Sequence, residues 1–351
     1  MASLPERLAA LPGPAERIQW LIRHRLLGPA ELLAERGLIP ATLLPLARAV
    51  LAERPVVPVA QIEEERRVFH GLVEAGLRML PLKGALLAYS CYPAPNQRWR
   101  SDLDVLVDPA QLAAARVALT SLGYRPVWSV PGGTPVEQEP WMARHPSGAW
   151  SVDLHWANRN HPVLRDRLSF EEQWAASVEM PGLGPGVQGQ CPVHALLNAA
   201  MHWYDNLYDE PRPLGWLLDI DLLWVQLDEA AVNELLRLAA DRQLSGLLAG
   251  VLRQTVALLN TPVPSDVLNS LEAEGADQRP TRLIALSGHP LRAYLFSLSC
   301  EPGPRRKLRR LRSTFFPPAQ HMRERYGVDR PVALIGAYWR RMRSRLGKRS
   351  P

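Results

Sequence analysis

Cysteine is scarce in this chain and has no pattern. Cys91, Cys191 and Cys300 are far apart, with no CxxC and no Cys/His cluster at ligand spacing. This excludes a disulfide framework and a zinc ribbon, and fits a reducing compartment. Long apolar runs are missing too. No stretch approaches about 18 uninterrupted apolar residues, the length a membrane-crossing helix needs. The N-terminus, Met1-Ala-Ser-Leu-Pro-Glu-Arg-Leu, carries charges and a proline where a secretory leader requires an unbroken apolar core. The expected location is therefore the cytoplasm. No fixed-period repeat is visible, which argues against a solenoid.

Acidic charge is almost absent from the C-terminal end. Residues 301–351 hold 15 Lys/Arg against 3 Asp/Glu, a local net of +12, so the other 300 residues carry −6 of the overall +6. A basic tail on an acidic body can contact nucleic acid or an acidic partner, because such fields steer encounters. The plainer reading is a solvated, arginine-rich helix surface, and the sequence favours it. The remaining composition, 47% hydrophobic and 22% charged, is that of an ordinary globular chain long enough for two or three compact units.

Three stretches differ in their local grammar. Residues 1–60 read as an N-terminal helical region, with Ala/Leu/Glu/Arg segments separated by prolines. Residues 61–180 alternate between helix and strand. A helix with Val68, Leu72 and Val73 on one stripe closes near Gly76; a short apolar run, Leu77 to Leu82, precedes a helix from Gly84. Ser101 to Val107 is a strand, Pro109 to Leu122 a helix stopped by Gly123, and Tyr124 to Val130 another strand. Val136–His145 and Ala149–Trp156 pair as a hairpin around Pro146-Ser-Gly. Pro181 to Gly189 reads as a glycine-proline linker, and residues 190–351 as a C-terminal helical domain ending in the basic tail. The expected class is α+β, a small mixed sheet flanked by helices.

Chemistry concentrates in the middle stretch. Side chains alternate along a strand, so Asp102 and Asp104 project together while Leu103, Val105 and Val107 enter a core. Adjacent carboxylates repel unless a hard divalent cation lies between them, and Mg²⁺ prefers carboxylate, water and phosphate oxygens. Asp153 follows on a second strand, with His155 on the same face as a group that supports the site or carries a proton. Three such carboxylates suit one or two Mg²⁺ ions that activate an acceptor and neutralise charge on a transferred phosphorus. An Asp-x-Asp pair is common by chance. Its context here adds a strand, turn and helix start at Pro81-Leu82-Lys83-Gly84, where backbone N–H groups and Lys83 can face phosphates, together with Arg98 and Ser101 beside the pair. His194 and His202 share a helix but are out of register for joint metal binding; His202, Asp205 and Asp219 are candidates for an acceptor pocket. The tryptophans, Trp128 and Trp216 among them, read mostly as packing.

Several of these blocks occur together and in order: Leu82-Lys-Gly-Ala-Leu-Leu-Ala-Tyr, Tyr92-Pro, Arg98-Trp-Arg-Ser-Asp-Leu-Asp-Val-Leu-Val, Leu122-Gly-Tyr and Val152-Asp-Leu-His-Trp. The combination resembles the uncharacterised nucleotidyltransferase family of the polymerase-beta-type superfamily, over about residues 65–225 and more faintly beyond. The resemblance implies a mixed-sheet catalytic core that uses Mg²⁺ and a nucleoside triphosphate such as ATP. It makes Asp102 and Asp104 metal ligands and Asp153 the third carboxylate. It also implies transfer of a nucleoside monophosphate to an acceptor such as a sugar, other small molecule, peptide or protein. The superfamily usually has Gly-Ser or Gly-Gly at the triphosphate turn, where this chain has Lys83-Gly84. That departure motivates the alternative of a non-catalytic nucleotide-binding or scaffold protein of the same fold.

Overall fold

The computed structural model of the chain describes residues 2–55, 57–127, 137–145, 148–206, 212–317, 319–328 and 330–346. A five-stranded mixed sheet lies at its centre. Its strands are β1 (Met79–Pro81), β2 (Leu103–Val107), β3 (Arg125–Pro126), β4 (Gln138–His145) and β5 (Gly148–His155), in the order β1-β2-β5-β4-β3. β2 pairs antiparallel with β1 and parallel with β5, while β4 runs antiparallel to both β5 and β3. β2 is buried along its whole length, as expected for a central strand of leucine and valine that helices cover. The turn expected at Pro146-Ser147, Val136, and Trp128–Val130 of the expected strand lie outside the described residues.

Helix Val59–Glu74 packs on helix Leu112–Ser121 and on β5, burying Val68, Phe69 and Leu72. Gly76, at φ 69°, makes the left-handed turn that closes this helix, a conformation in which a side chain is strained. Helix Lys83–Ser90 connects β1 back toward β2 and rests on it. The glycine-proline stretch that reads as a linker forms a hairpin instead. Its strands β6 (Val178–Glu179) and β7 (Gln188–Gly189) pair antiparallel, and Leu183 and Val187 are fully buried. Burial of those two apolar residues explains why the segment packs down rather than spanning free.

Helices Pro192–Asp205, Gly215–Trp224, Glu229–Asp241 and Ser245–Leu259 then pack on one another. One apolar core joins them to the sheet and to the N-terminal helices, from Leu4 and Leu33 through Val105 and Leu154 to Leu218 and Leu252. Helix Gly215–Trp224 is buried on all sides, yet carries two carboxylates. Both are paired: Asp219 with Arg98, and Asp221 with Arg36 and Thr261. Buried charge requires such partners. Helix Gly303–Phe315 turns Arg310 inward to Glu301 and leaves Arg305, Arg306, Arg309 and Arg312 exposed. Among the described residues, no helix is long and apolar enough to cross a membrane.

Candidate functional site

The parallel pairing of β2 with β5 sets Asp104 directly beside Asp153. Neighbouring strands lie about 4.8 Å apart, so two carboxylates in register on one face must interact. His155, two residues past Asp153, projects from the same face. Single ligand atoms of Asp104, Asp153 and His155 all lie within 4.8 Å of one another. β2 begins at Leu103, one residue later than the sequence suggests, so Asp102 stands just before the strand. It is half-buried there and outside that group of three. Its charge still reaches the group. Asp153 is pushed up to about 6, by burial and then by repulsion from Asp104 and Asp102. Asp102 is itself raised by burial and by Asp104.

Asp104 is 4% exposed and behaves differently. Burial opposes its charge, but the Lys83 ammonium at 2.6 Å and the His155 ring at 2.8 Å hold the carboxyl well below its usual range. An ionised carboxylate only accepts, so His155 Nε2–H is the donor and its tautomer is thereby fixed. Burial, aided by Lys83, lowers the imidazole to about 4, which keeps it neutral. Lys83 opens helix Lys83–Ser90. Gly84 follows it because there is no room for more: a Cβ there would stand 2.9 Å from Arg100 Cβ and 3.2 Å from Arg98 Nη1.

The remaining expected residues surround this centre in different ways. Arg98 faces inward: Nη2 donates to Asp219 Oδ2 at 2.7 Å and Nε to Oδ1 at 3.0 Å. Its guanidinium is thus committed to helix Gly215–Trp224. Ser101 is exposed, and its hydroxyl donates to Asp102 at 3.4 Å. His202 lies against Trp216, ring centroids 4.5 Å apart, and lines a small pocket with Lys83, Arg98, Arg159 and Asp219. Burial, then Lys83 and Arg159, hold His202 neutral. Asp205 is 4.0 Å from Arg159 Nε and is raised by burial.

Sequence reading missed three contributors. Arg159 is 5% exposed and lines the pocket, its Nε paired in charge with Asp205 but without a hydrogen bond. Arg25 stacks on Trp99 at 3.7 Å and faces Trp216 at 5.4 Å. Burial and Arg98 push it down to about 10, against the pull of Asp102 and Asp219, so it too belongs to the surroundings of the site. Arg100 is clamped by Glu65, at 2.5 and 2.7 Å, which fixes the segment before Asp102. Arg25 and Glu65 lie far from Asp102 in sequence, so no local pattern announces them.

The donor set suits a hard divalent cation. Asp104 and Asp153 converge, Asp102 is close by, and after burial the charges of Asp104 and Asp102 contribute to the lift on Asp153. His155 Nε2 is bonded to Asp104, so the ring fixes the position of that carboxyl. The arrangement can therefore hold a cation and can accept a proton at Asp153.

A family described as uncharacterised nucleotidyltransferase matches residues 14–260. Among solved structures, that of the antibiotic-resistance factor ANT(2'')-Ia aligns with 56% of this chain and 100% of its own, at 14% identity and a TM-score of 0.36. No curated protein matches the chain.

Proposed function

Because the chain belongs to the uncharacterised nucleotidyltransferase family, we propose that it moves a nucleoside monophosphate from a nucleoside triphosphate to an acceptor hydroxyl or similar group, with Mg²⁺ held by Asp102, Asp104 and Asp153. The observation that carries this reading is the register of β2 and β5, which sets Asp104 beside Asp153 with His155 at the same point. A divalent ion bound there would supply charge neutralisation at the transferred phosphorus. Asp153, in register beside Asp104, is the residue assigned to take the acceptor's proton. His155 holds Asp104 in position. Lys83, the Gly84 turn and Ser101 form the phosphate-facing rim. Arg98, bound to Asp219, positions the segment carrying Ser101 and Asp102 rather than reaching phosphate. The pocket lined by His202 and Arg159 beside Lys83 has room for about one water, so an acceptor would have to enter by widening it.

The test is a melting-temperature survey with each of the four nucleoside triphosphates, with and without Mg²⁺, because a ligand that binds only the folded state raises stability. A Mg²⁺-dependent rise with one nucleotide, abolished in Asp102→Asn/Asp104→Asn and in Asp153→Asn, is expected and names the donor. Absence of any shift, or an equal shift in the variants, would remove the proposal.

A further inference from the structure

Lys83 has φ 45°, in the left-handed region that glycine enters freely and a residue with a Cβ enters at a cost. Strain of this kind persists where the surroundings hold it in place, often at sites that need a particular group there. What the position delivers is an ammonium. Its Nζ lies 2.6 Å from Asp104 Oδ1, the same oxygen that His155 Nε2 bonds at 2.8 Å. The Lys83 side chain is 20% exposed and that of Asp104 5%, so the pair faces solvent from the lysine side alone. The Lys83 charge also offsets part of the rise in the carboxyls of Asp102 and Asp153, so it lies among all three acids. A lysine ammonium is a compact point charge on a flexible stem, able to leave one oxygen for another.

We propose that Lys83 is an internal counterion for Asp104, one that keeps a divalent cation off the carboxylates until a triphosphate draws the ammonium away. The inference rests on the nucleotidyltransferase reading of the same site and deepens it: donor binding and metal binding become coupled through one side chain. An ammonium and a divalent ion cannot share Asp104 Oδ1, because like charges at that distance repel strongly. A triphosphate offers Lys83 several anionic oxygens in exchange. With Lys83 drawn off, Asp104 keeps only the His155 donor, and its other lone pairs open toward Asp153.

Three forms of the full-length chain decide the matter: wild type, Lys83→Gly, which removes the ammonium and accepts φ 45°, and Lys83→Arg, which keeps a cation. Mn²⁺ affinity is measured without nucleotide by electron paramagnetic resonance, and metal-free ATP affinity by calorimetry, after a melt confirms folding. Lys83→Gly should bind Mn²⁺ at least about tenfold tighter than wild type and metal-free ATP about tenfold more weakly, the scale of one charge-assisted hydrogen bond. Lys83→Arg should resemble wild type in Mn²⁺ affinity. Equal or weaker Mn²⁺ binding by Lys83→Gly overturns the counterion role while leaving the nucleotidyltransferase site intact. Failure of all three forms to bind Mn²⁺, with or without ATP, overturns that site and the counterion role with it.

Discussion

Asp219→Ala should be among the most damaging single substitutions outside the cluster of carboxylates. Asp219 is 3% exposed and accepts three hydrogen bonds, from Arg98 Nε at 3.0 Å, Arg98 Nη2 at 2.7 Å and Tyr92 Oη at 2.8 Å. Removing the carboxylate leaves a guanidinium that is 7% exposed with no counter-charge. Breaking a buried pair from one side costs about 3–5 kcal/mol, most of it the desolvated charge left behind. The stranded Tyr92 hydroxyl adds roughly 1 kcal/mol. At about 2 °C per kcal/mol for a chain of this size, the melting temperature should fall by about 8–12 °C. The companion variant Arg98→Leu/Asp219→Leu should recover most of that loss, because well-packed apolar groups often replace a buried pair at little cost. Differential scanning calorimetry of the two variants at one pH tests both statements. A single variant within about 2 °C of wild type, or a double variant no better than the single, would show that the pair does not hold helix Gly215–Trp224 to the site.

Asp153→Asn should stabilise the metal-free chain by about 1–3 kcal/mol at pH 7.5 while abolishing Mg²⁺-dependent stabilisation. Its carboxyl is raised to about 6, so ionisation opposes folding above that pH and the substitution relieves it; a metal-free melt no higher than wild type would contradict this. His161 is pushed down to about 3, by burial and then by Arg310 and Arg165. It is neutral when folded and charged when unfolded below its ordinary value. Stability should therefore be complete above pH 6.5 and fall by about 1.4 kcal/mol per pH unit below it for this group. His161→Gln should flatten that decline between pH 6 and 4.5 in melts, and unchanged slopes would exclude the assignment. Gly84→Ala should cost about 1–3 kcal/mol and impair triphosphate binding, since the new Cβ forces Arg100 aside; unimpaired ATP binding in a calorimetric titration would show that the turn does not serve the donor.

The parts of the site that strand period controls were legible in the sequence. Leu103, Val105 and Val107 are buried as expected, although Asp104 and Leu106 between them are buried too, and Asp153 and His155 share a face. The limit of β2 was not legible, because the strand starts where pairing with Val152 starts, at Leu103, and pairing is a property of two segments. Pro181 to Gly189 reads as a linker by glycine and proline content; Leu183 and Val187, both fully buried, decide otherwise. Arg98 misleads in a similar way. It stands four positions before Asp102, yet its partner Asp219 is 121 positions away.

Helix Gly215–Trp224 shows what kind of knowledge sequence supplies here. Two aspartates on so apolar a helix must each have a cation or donor, because a lone buried carboxylate is too costly. The chain offers 41 Lys/Arg, and only topology selects Arg98 for one and Arg36 for the other. The same reasoning separates Asp219 from Asp104. Asp219 is satisfied by a bidentate arginine and a tyrosine. Asp104 is held by a lysine in a strained backbone conformation, while Asp153 and Asp102 beside it remain repelled. Both carboxyls are raised by burial first and by neighbouring negative charge second, and a divalent cation is one partner that would offset both.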